Sequence, residues 1–323
     1  MALLNHVRGM VLAGLAAISV TAFAAYPDRQ VTLLVGYAPG GATDIIARTL
    51  ATSLSSKWGQ TVVVENKPGA SGMLAAEQVV RAKPDGYTLL LGYTPEVSLN
   101  KLVFKKMRYD PIADLTPIVL TAEAPLVLVA GPKLSVTTMQ ELLAQKSSRQ
   151  PLTYGSPGTG GQQHLAGEML ARSTGLTLTH VPYKGTALAV NDLLGGHIDL
   201  FFGTAPPLLP HIRAGKLRPI AVAGNAREKL LPDVPTVVEL GIPRLQLTNW
   251  FGLFAPKGVS ETVLDQITND VSQALADAKV VKTLEEQGLS IKALRGAAFR
   301  DFIDAEMKKY QAIVTETGVS VEQ

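Results

Sequence analysis

Two stretches of this chain repeat one construction: an apolar segment of strand length, a glycine-rich turn, then apolar residues at helical spacing. Residues 31–35 (VTLLV) run into GYAPGGATD (36–44), after which Ile45, Ile46, Leu50 and Leu54 mark a helix face. Residues 152–154 run into GSPGTGG (155–161), followed by Leu165, Met169 and Leu170. Two further units follow each opening unit. In the first half, strand 61–64 leads to KPGASG (67–72) and a helix over about 73–81, and strand 87–91 ends at GYTP (92–95). In the second half, strand 178–181 leads to PYKG (182–185) and a helix through 190–194, and strand 198–202 ends at GTAP (203–206). Strands alternating with helices predict an α/β fold of two doubly wound, mostly parallel lobes. Ligands bind such sheets beyond the carboxyl ends of the strands, where these loops gather.

A cleft between the lobes follows if strands cross from one to the other as a hinge. Two apolar runs fit: APLVLVA (124–130) outward and WFGLFA (250–255) on the return. The expected division is a signal peptide at 1–24, the first part of lobe one at 25–124, lobe two at 125–249, and a return to lobe one at 250–323. The tail after Pro256 reads as helical, with helices over about 262–278 and 297–315.

The N-terminus carries Arg8, an apolar run over 10–20, and Ala22, Phe23 and Ala24 at cleavage spacing, the pattern of a secretory signal peptide. The run is too short and too interrupted for a membrane span. The chain has no cysteine, which excludes a lipid-anchored form and disulfides. A soluble periplasmic protein is expected. The formal charge of +3 comes from scattered basic residues, which argues against nucleic acid.

GYAPGGAT also fits the phosphate-loop spacing, except that Ala42 stands where the lysine belongs. A glycine loop at a helix N-terminus presents free N–H groups and a partial positive charge. Without the lysine, a triphosphate with Mg²⁺ is not expected, and small carboxylates suit the remaining donors. One helix end contributes only about 0.3–1 kcal/mol, so two opposed loops are needed to clasp a ligand. The alternative is that Gly40, Gly41, Gly160 and Gly161 serve only as turns. Asp44 fits either a first-turn acid complementing its own helix dipole or a group reaching the ligand through water. Lys184 is the one cation in a cleft loop, either pairing with a carboxylate or solvated. Tyr37, Tyr93, Tyr183 and Trp250 stand at strand ends or the hinge, where some line the cleft.

Ser156, His164 and Asp199 invite a nucleophilic triad, but their order differs from the hydrolase elbow fold, and Tyr154 replaces the first glycine of G-x-S-x-G. His164 either donates to an anion or packs. No metal motif and no dinucleotide fingerprint occurs, so no cofactor is expected.

GYAPGGATDIIAR, ENKPGASG, PDGYTLLLG, YGSPGTGGQQHLAGEM, HVPYKGTALAVNDLLGGHIDLFFGT and LPDVPTVVELGIP together resemble the Bug-type extracytoplasmic solute receptors, the substrate-binding components of tripartite tricarboxylate transporters. The resemblance spans nearly the whole mature chain. It implies a periplasmic-binding-protein fold of type II, a Venus flytrap, with delivery to one large and one small integral membrane subunit. Family ligands are di- and tricarboxylates, acidic amino acids and aromatic carboxylates. In the family, loops matching residues 39–44 and 156–160 grip a carboxylate through backbone amides, often with ordered water. This sequence departs at Ala38, Ser71, Ala75 and Leu188, which bear on ligand identity rather than fold.

The combined reading is a monomeric, non-enzymatic receptor that closes on a small carboxylate. Its candidate ligand-binding residues are Tyr37, Pro39, Gly40, Gly41, Ala42, Thr43, Asp44, Tyr93, Ser156, Gly158, Thr159, Gly160, His164, Tyr183, Lys184 and Asp199. The competing readings are a sensor for a membrane signalling partner and a hydrolase using Ser156 or His164.

Overall fold

The computed structural model describes residues 26–147 and 150–322, so the signal peptide expected at 1–24 lies outside the described residues. Strands β1 (Val31–Val35), β2 (Val62–Asn66), β3 (Thr88–Tyr93) and β4 (Leu115–Pro125) are followed by β5 (Val127–Ala130), β6 (Leu152–Ser156), β7 (Leu178–Pro182), β8 (Leu200–Gly203) and β9 (Arg218–Val222). The chain then forms β10 (Thr248–Pro256) and β11 (Ser290–Arg295). These build one sheet in the order β11-β4-β10-β3-β1-β2 and a second in the order β7-β6-β8-β5-β9.

Both faces of the first sheet are covered, which is why its strands read as apolar runs rather than alternating ones. In β1, Leu33 and Val35 pack with Ile46 and Leu50 of the helix Ala42–Trp58, while Leu34 faces the other way with Met73, Ala76 and Val79 of the helix Met73–Val80. That second cluster continues into lobe two through Leu128, Tyr154 and Phe202, so one apolar core runs through the hinge.

The sheets are more mixed than expected. β1 pairs in parallel with β2 and β3, and β6 with β7 and β8. β5, β10 and β11 run antiparallel to their neighbours; β5 enters from and β10 returns from the other lobe, whereas β11 follows two helices of its own lobe and pairs along the edge with β4. The chain passes from β4 into β5 across the single residue Leu126. The return crossing lies just before β10, since the whole WFGLFA run sits within the first sheet. At the crossing, Leu126 N–H donates to the Leu247 carbonyl (3.2 Å), Leu247 N–H to Ala223 (2.9 Å), and Ala223 N–H to Leu126 (2.7 Å).

The tail is not wholly helical. β11 interrupts it and pairs along β4 with an irregular register between Ile291 and Leu294, where Ala293 adopts φ 51°. Among the described residues, no helix is long and apolar enough to cross a membrane.

Candidate functional site

The carboxyl ends of β1 and β6 face one another across the lobes and enclose a cavity of about 270 Å3. Lobe one lines it with Gly36, Tyr37, the turn 69–72 and Phe104. Lobe two contributes Pro157, Gly158, Thr159, Pro182, Tyr183 and Lys184. Of the described lining residues, Lys184 alone is charged, and it is exposed.

Close backbone approach shapes the floor. A Cβ on Gly36 would lie 2.7 Å from the Gly72 Cα, so the loop after β1 approaches the turn after β2 only because residue 36 has no side chain, while glycine at 72 makes room for Glu96 beneath it. Across the cleft, Ser71 Oγ donates to the Thr159 carbonyl at 2.7 Å, and the Ala38 Cβ would lie 3.4 Å from a side chain on Gly185.

Both glycine loops open helices without a side-chain cap. Gly41 precedes Ala42–Trp58 and Gly161 precedes Gln162–Thr174, and neither cap glycine has a side chain to accept from the N–H groups of the first turn. These are the donors that suit an anion. Pro39 and Gly40 are exposed and outside the cavity lining, whereas Ala42, Thr43 and Asp44 are buried in the first helical turn. Asp44 Oδ2 accepts from Gly40 N–H (3.1 Å) and Arg48 Nε (2.9 Å), and Oδ1 accepts from Asn66 Nδ2 (2.9 Å). Burial would raise its pKa, but hydrogen bonds from Arg48, Asn66 and Gly40 hold it below the usual value. Its carboxylate thus ties the loop together.

Of the sequence-predicted residues, Tyr37, Gly158, Thr159, Tyr183 and Lys184 line the cavity. Tyr93 lies behind that wall: its ring packs edge-on to Tyr37 and stacks on Phe251, and its hydroxyl accepts from Gln163 Nε2 of lobe two at 2.8 Å. Gly160 has φ 81°, and a side chain there would strike Val103 and Phe104 of lobe one. Ser156 is fully buried under its own loop, with Oγ donating to the Gly158 carbonyl at 2.8 Å. His164 Nδ1 accepts the Gly160 N–H at 3.1 Å.

Asp199 is a correction. Its Oδ2 accepts from the Thr153 N–H and hydroxyl, each at 2.8 Å, near the start of β6 and just before β8. The amino ends of parallel strands lie opposite the ligand side, so Asp199 fastens β8 to β6 and is separated from Ser156 by the length of that strand.

The histidine that does reach Ser156 is His180, which the sequence reading passed over. Its Nε2 lies 2.6 Å from Ser156 Oγ, and its ring stacks on His164 with centroids 3.9 Å apart. Burial and then the His164 charge push the His180 pKa down to about 3; burial also lowers that of His164, opposed by Glu168. The pair is therefore neutral at neutral pH and forms a stacked support behind the loop. Also unforeseen is Glu96, fully buried beneath Tyr37 and Gly72. Neither residue belongs to a glycine turn itself, His180 standing on β7 two residues before PYKG and Glu96 just after GYTP, and their roles arise from packing between neighbouring elements. Among the described residues, no cluster of three His, Asp or Glu side chains is arranged to hold a metal.

The family model described as "Tripartite tricarboxylate transporter family receptor" matches residues 46–319. The chain belongs to this receptor family. Its members bind solutes for transport and are not enzymes, which leaves the Ser156–His180 contact as loop support. The solved structure of the periplasmic binding protein BugD is 34% identical, with 92% of this chain and 100% of that chain covered at TM-score 0.87. Rpa4515 of R. palustris with adipate is 32% identical at TM-score 0.89, covering 92% of this chain and 100% of that chain. MatC from Rhodopseudomonas palustris with bound malate is 31% identical at TM-score 0.84, covering 90% and 100%. The fold class is thereby the two-lobed α/β architecture of periplasmic binding proteins, as the loop pattern predicts.

Proposed function

We propose that this receptor captures a small organic carboxylate in the cavity between its lobes, in the periplasm, and presents it to the large and small membrane subunits of a tripartite transporter. The observation that carries the reading is the pairing of two uncapped helix starts on opposite lobes, with a cavity of about 270 Å3 between the loops that precede them. Backbone N–H groups recognise a carboxylate without a full positive charge, and closure strengthens each bond by excluding water. The adipate and malate held by two relatives support a dicarboxylate. The residues assigned to ligand contact are Tyr37, Gly158, Thr159, Tyr183 and Lys184, with the free N–H groups that open the two helices, since Gly40 N–H and Gly160 N–H are already taken by Asp44 and His164. A division near residues 125 and 249, a monomeric state and signal cleavage after Ala24 complete the reading.

The test is a thermal-shift panel on the protein from residue 25 onward, using citrate, malate, adipate, glutamate and benzoate. A saturable shift with one class supports the reading and names the ligand type. No shift with any acid, together with no acid released from the denatured protein in mass spectrometry, overturns it.

A further inference from the structure

Glu96 sits in a single π-helical turn, Pro95–Leu99, directly under the cavity floor, and none of its surface reaches solvent. Two residues of the cavity wall rest on it. The Tyr37 hydroxyl is 2.9 Å from its Oε2, and a Cβ on Gly72 would lie 2.6 Å from that same oxygen. Its Oε1 accepts the Tyr93 N–H at 2.8 Å, and the Tyr109 hydroxyl donates to its backbone carbonyl at 2.6 Å.

The titratable groups around it are thus the phenols of Tyr37, Tyr93 and Tyr109, each with its pKa raised, chiefly by burial, so that each keeps its proton. Charged groups on the neighbouring elements are paired elsewhere: Glu77 with Arg81 and Arg108, and Lys101 with Asp110. Tyr310 of the C-terminal helix bonds Gln162. Among the described residues, Glu96 makes no ion pair. A buried carboxylate without a cation is costly, and it holds its proton instead.

We propose that Glu96 is a positioning residue for the ligand, acting through Tyr37, so that a carboxylate binds together with one proton held at Glu96. With its proton in place, Glu96 donates to the Tyr37 oxygen and leaves the phenolic proton free to donate into the cavity. Ionised, it takes the Tyr37 donor for itself and sets a negative charge beneath Gly72 and Tyr37. Both changes oppose a bound carboxylate. Burial raises the Glu96 pKa to about 8, against the Tyr93 N–H, its own N–H and the Tyr37 hydroxyl, so the switch falls within a working pH range. By linkage, a bound carboxylate raises proton affinity at Glu96 by the same factor that protonation raises carboxylate affinity.

This inference rests on the carboxylate-receptor reading, and the experiment separates the two. The probe is whichever of malate, adipate, citrate, glutamate or benzoate gives the largest thermal shift at about pH 7. Its dissociation constant is measured by calorimetry from about pH 7 to about pH 9.5, in buffers of different ionisation enthalpy, which report protons taken up. The wild type is expected to weaken about tenfold or more over that range while binding takes up a proton from solvent. Glu96→Gln places an amide N–H on Tyr37 and a carbonyl on the Tyr93 N–H, matching the protonated acid. It is expected to bind with flat affinity near the wild-type value at neutral pH. Tyr37→Phe is expected to bind more weakly at neutral pH and to keep only the charge-dependent part of the slope.

A flat wild-type profile, or a Glu96→Gln slope equal to that of the wild type, overturns the inference and leaves the receptor reading standing. If Glu96→Gln fails to fold by circular dichroism, proton uptake by the wild type decides alone, and zero uptake above about pH 8 overturns the inference. If no acid binds at neutral pH, the receptor reading fails and this inference falls with it.

Discussion

The Ser71 hydroxyl of lobe one donates to the Thr159 carbonyl of lobe two at 2.7 Å, directly across the cleft. Ser71 reaches it from a left-handed conformation, φ 50°, where glycine is more at ease. The hydroxyl therefore contributes to closure rather than to the stability of its own turn. Ser71→Gly is expected to leave the unfolding midpoint of the free protein nearly unchanged and to weaken ligand binding by about 0.5–1.5 kcal/mol, the net value of one hydrogen bond. Parallel thermal melts and titration calorimetry test this. A loss of stability in the free protein without a loss of affinity would contradict it.

Gly158 meets the same serine from the other side. A Cβ there would have Ser71 atoms as its three nearest neighbours, with Oγ at 2.7 Å. Gly158→Ala should therefore fold as the wild type does yet resist closing. Ligand at a hundredfold excess over its dissociation constant should stabilise the wild type by about 2.7 kcal/mol. The variant should show a much smaller gain, and its radius of gyration with ligand present should stay at the open value. Adding Ser71→Gly removes the clash and is expected to restore most of the gain; failure of this rescue would place the defect within lobe two.

Much of the architecture is legible in the chain because strand, glycine turn and helix are local constructions. VTLLV, GYAPGGATD and the helix after them appear where the sequence places them, and the loops converge because parallel strands share a carboxyl end. What is not legible depends on pairing between distant strands. Asp199 is as polar and as close to a strand as a cleft residue, and only the β6–β8 register sends it to the far end. His180 meets Ser156 because β7 lies beside β6 with Pro182 opposite Ser156. Glu96 reads as an ordinary helix-start acid after Pro95, and its burial follows only from packing of the turn 69–72 above it. β11 is a short edge strand with an irregular register, so no clean alternation announces it.

The histidine stack makes lobe two sensitive to acid. His180 has its folded pKa pushed down to about 3, against an ordinary value of 6.5. The unfolded chain therefore binds a proton that the folded chain refuses, and the resulting stability is present above pH 6.5 and lost as pH falls toward 3. Protonated His164 also cannot accept the Gly160 N–H, so the loop loosens in the same direction. His180→Gln is expected to flatten the acid side of the stability profile, read as urea midpoints at successive pH values. An unchanged acid slope would show that other groups set it.

Glu96 acts on the opposite side of the profile. Its folded pKa, about 8, lies above its ordinary value of 4.5, so the folded chain holds a proton that the unfolded chain has released between those limits. Stability from this group is fully present below pH 4.5, falls as pH rises from there, and is gone above about 8. Between pH 4.5 and 6.5 the two groups nearly cancel, one proton bound by the folded chain at Glu96 against one bound by the unfolded chain at His180. Above pH 6.5 Glu96 stands alone, and the ligand-free protein should lose stability toward pH 8. Glu96→Gln keeps the hydrogen bonds and removes the titration, so above that pH it should be more stable than the wild type by on the order of a few kcal/mol. Below pH 4.5 the two should converge, because both then carry an uncharged group in the same place. Denaturant unfolding of both proteins at the two ends of this range measures the difference, and equal stability at the alkaline end would mean that Glu96 ionises without penalty where it is buried.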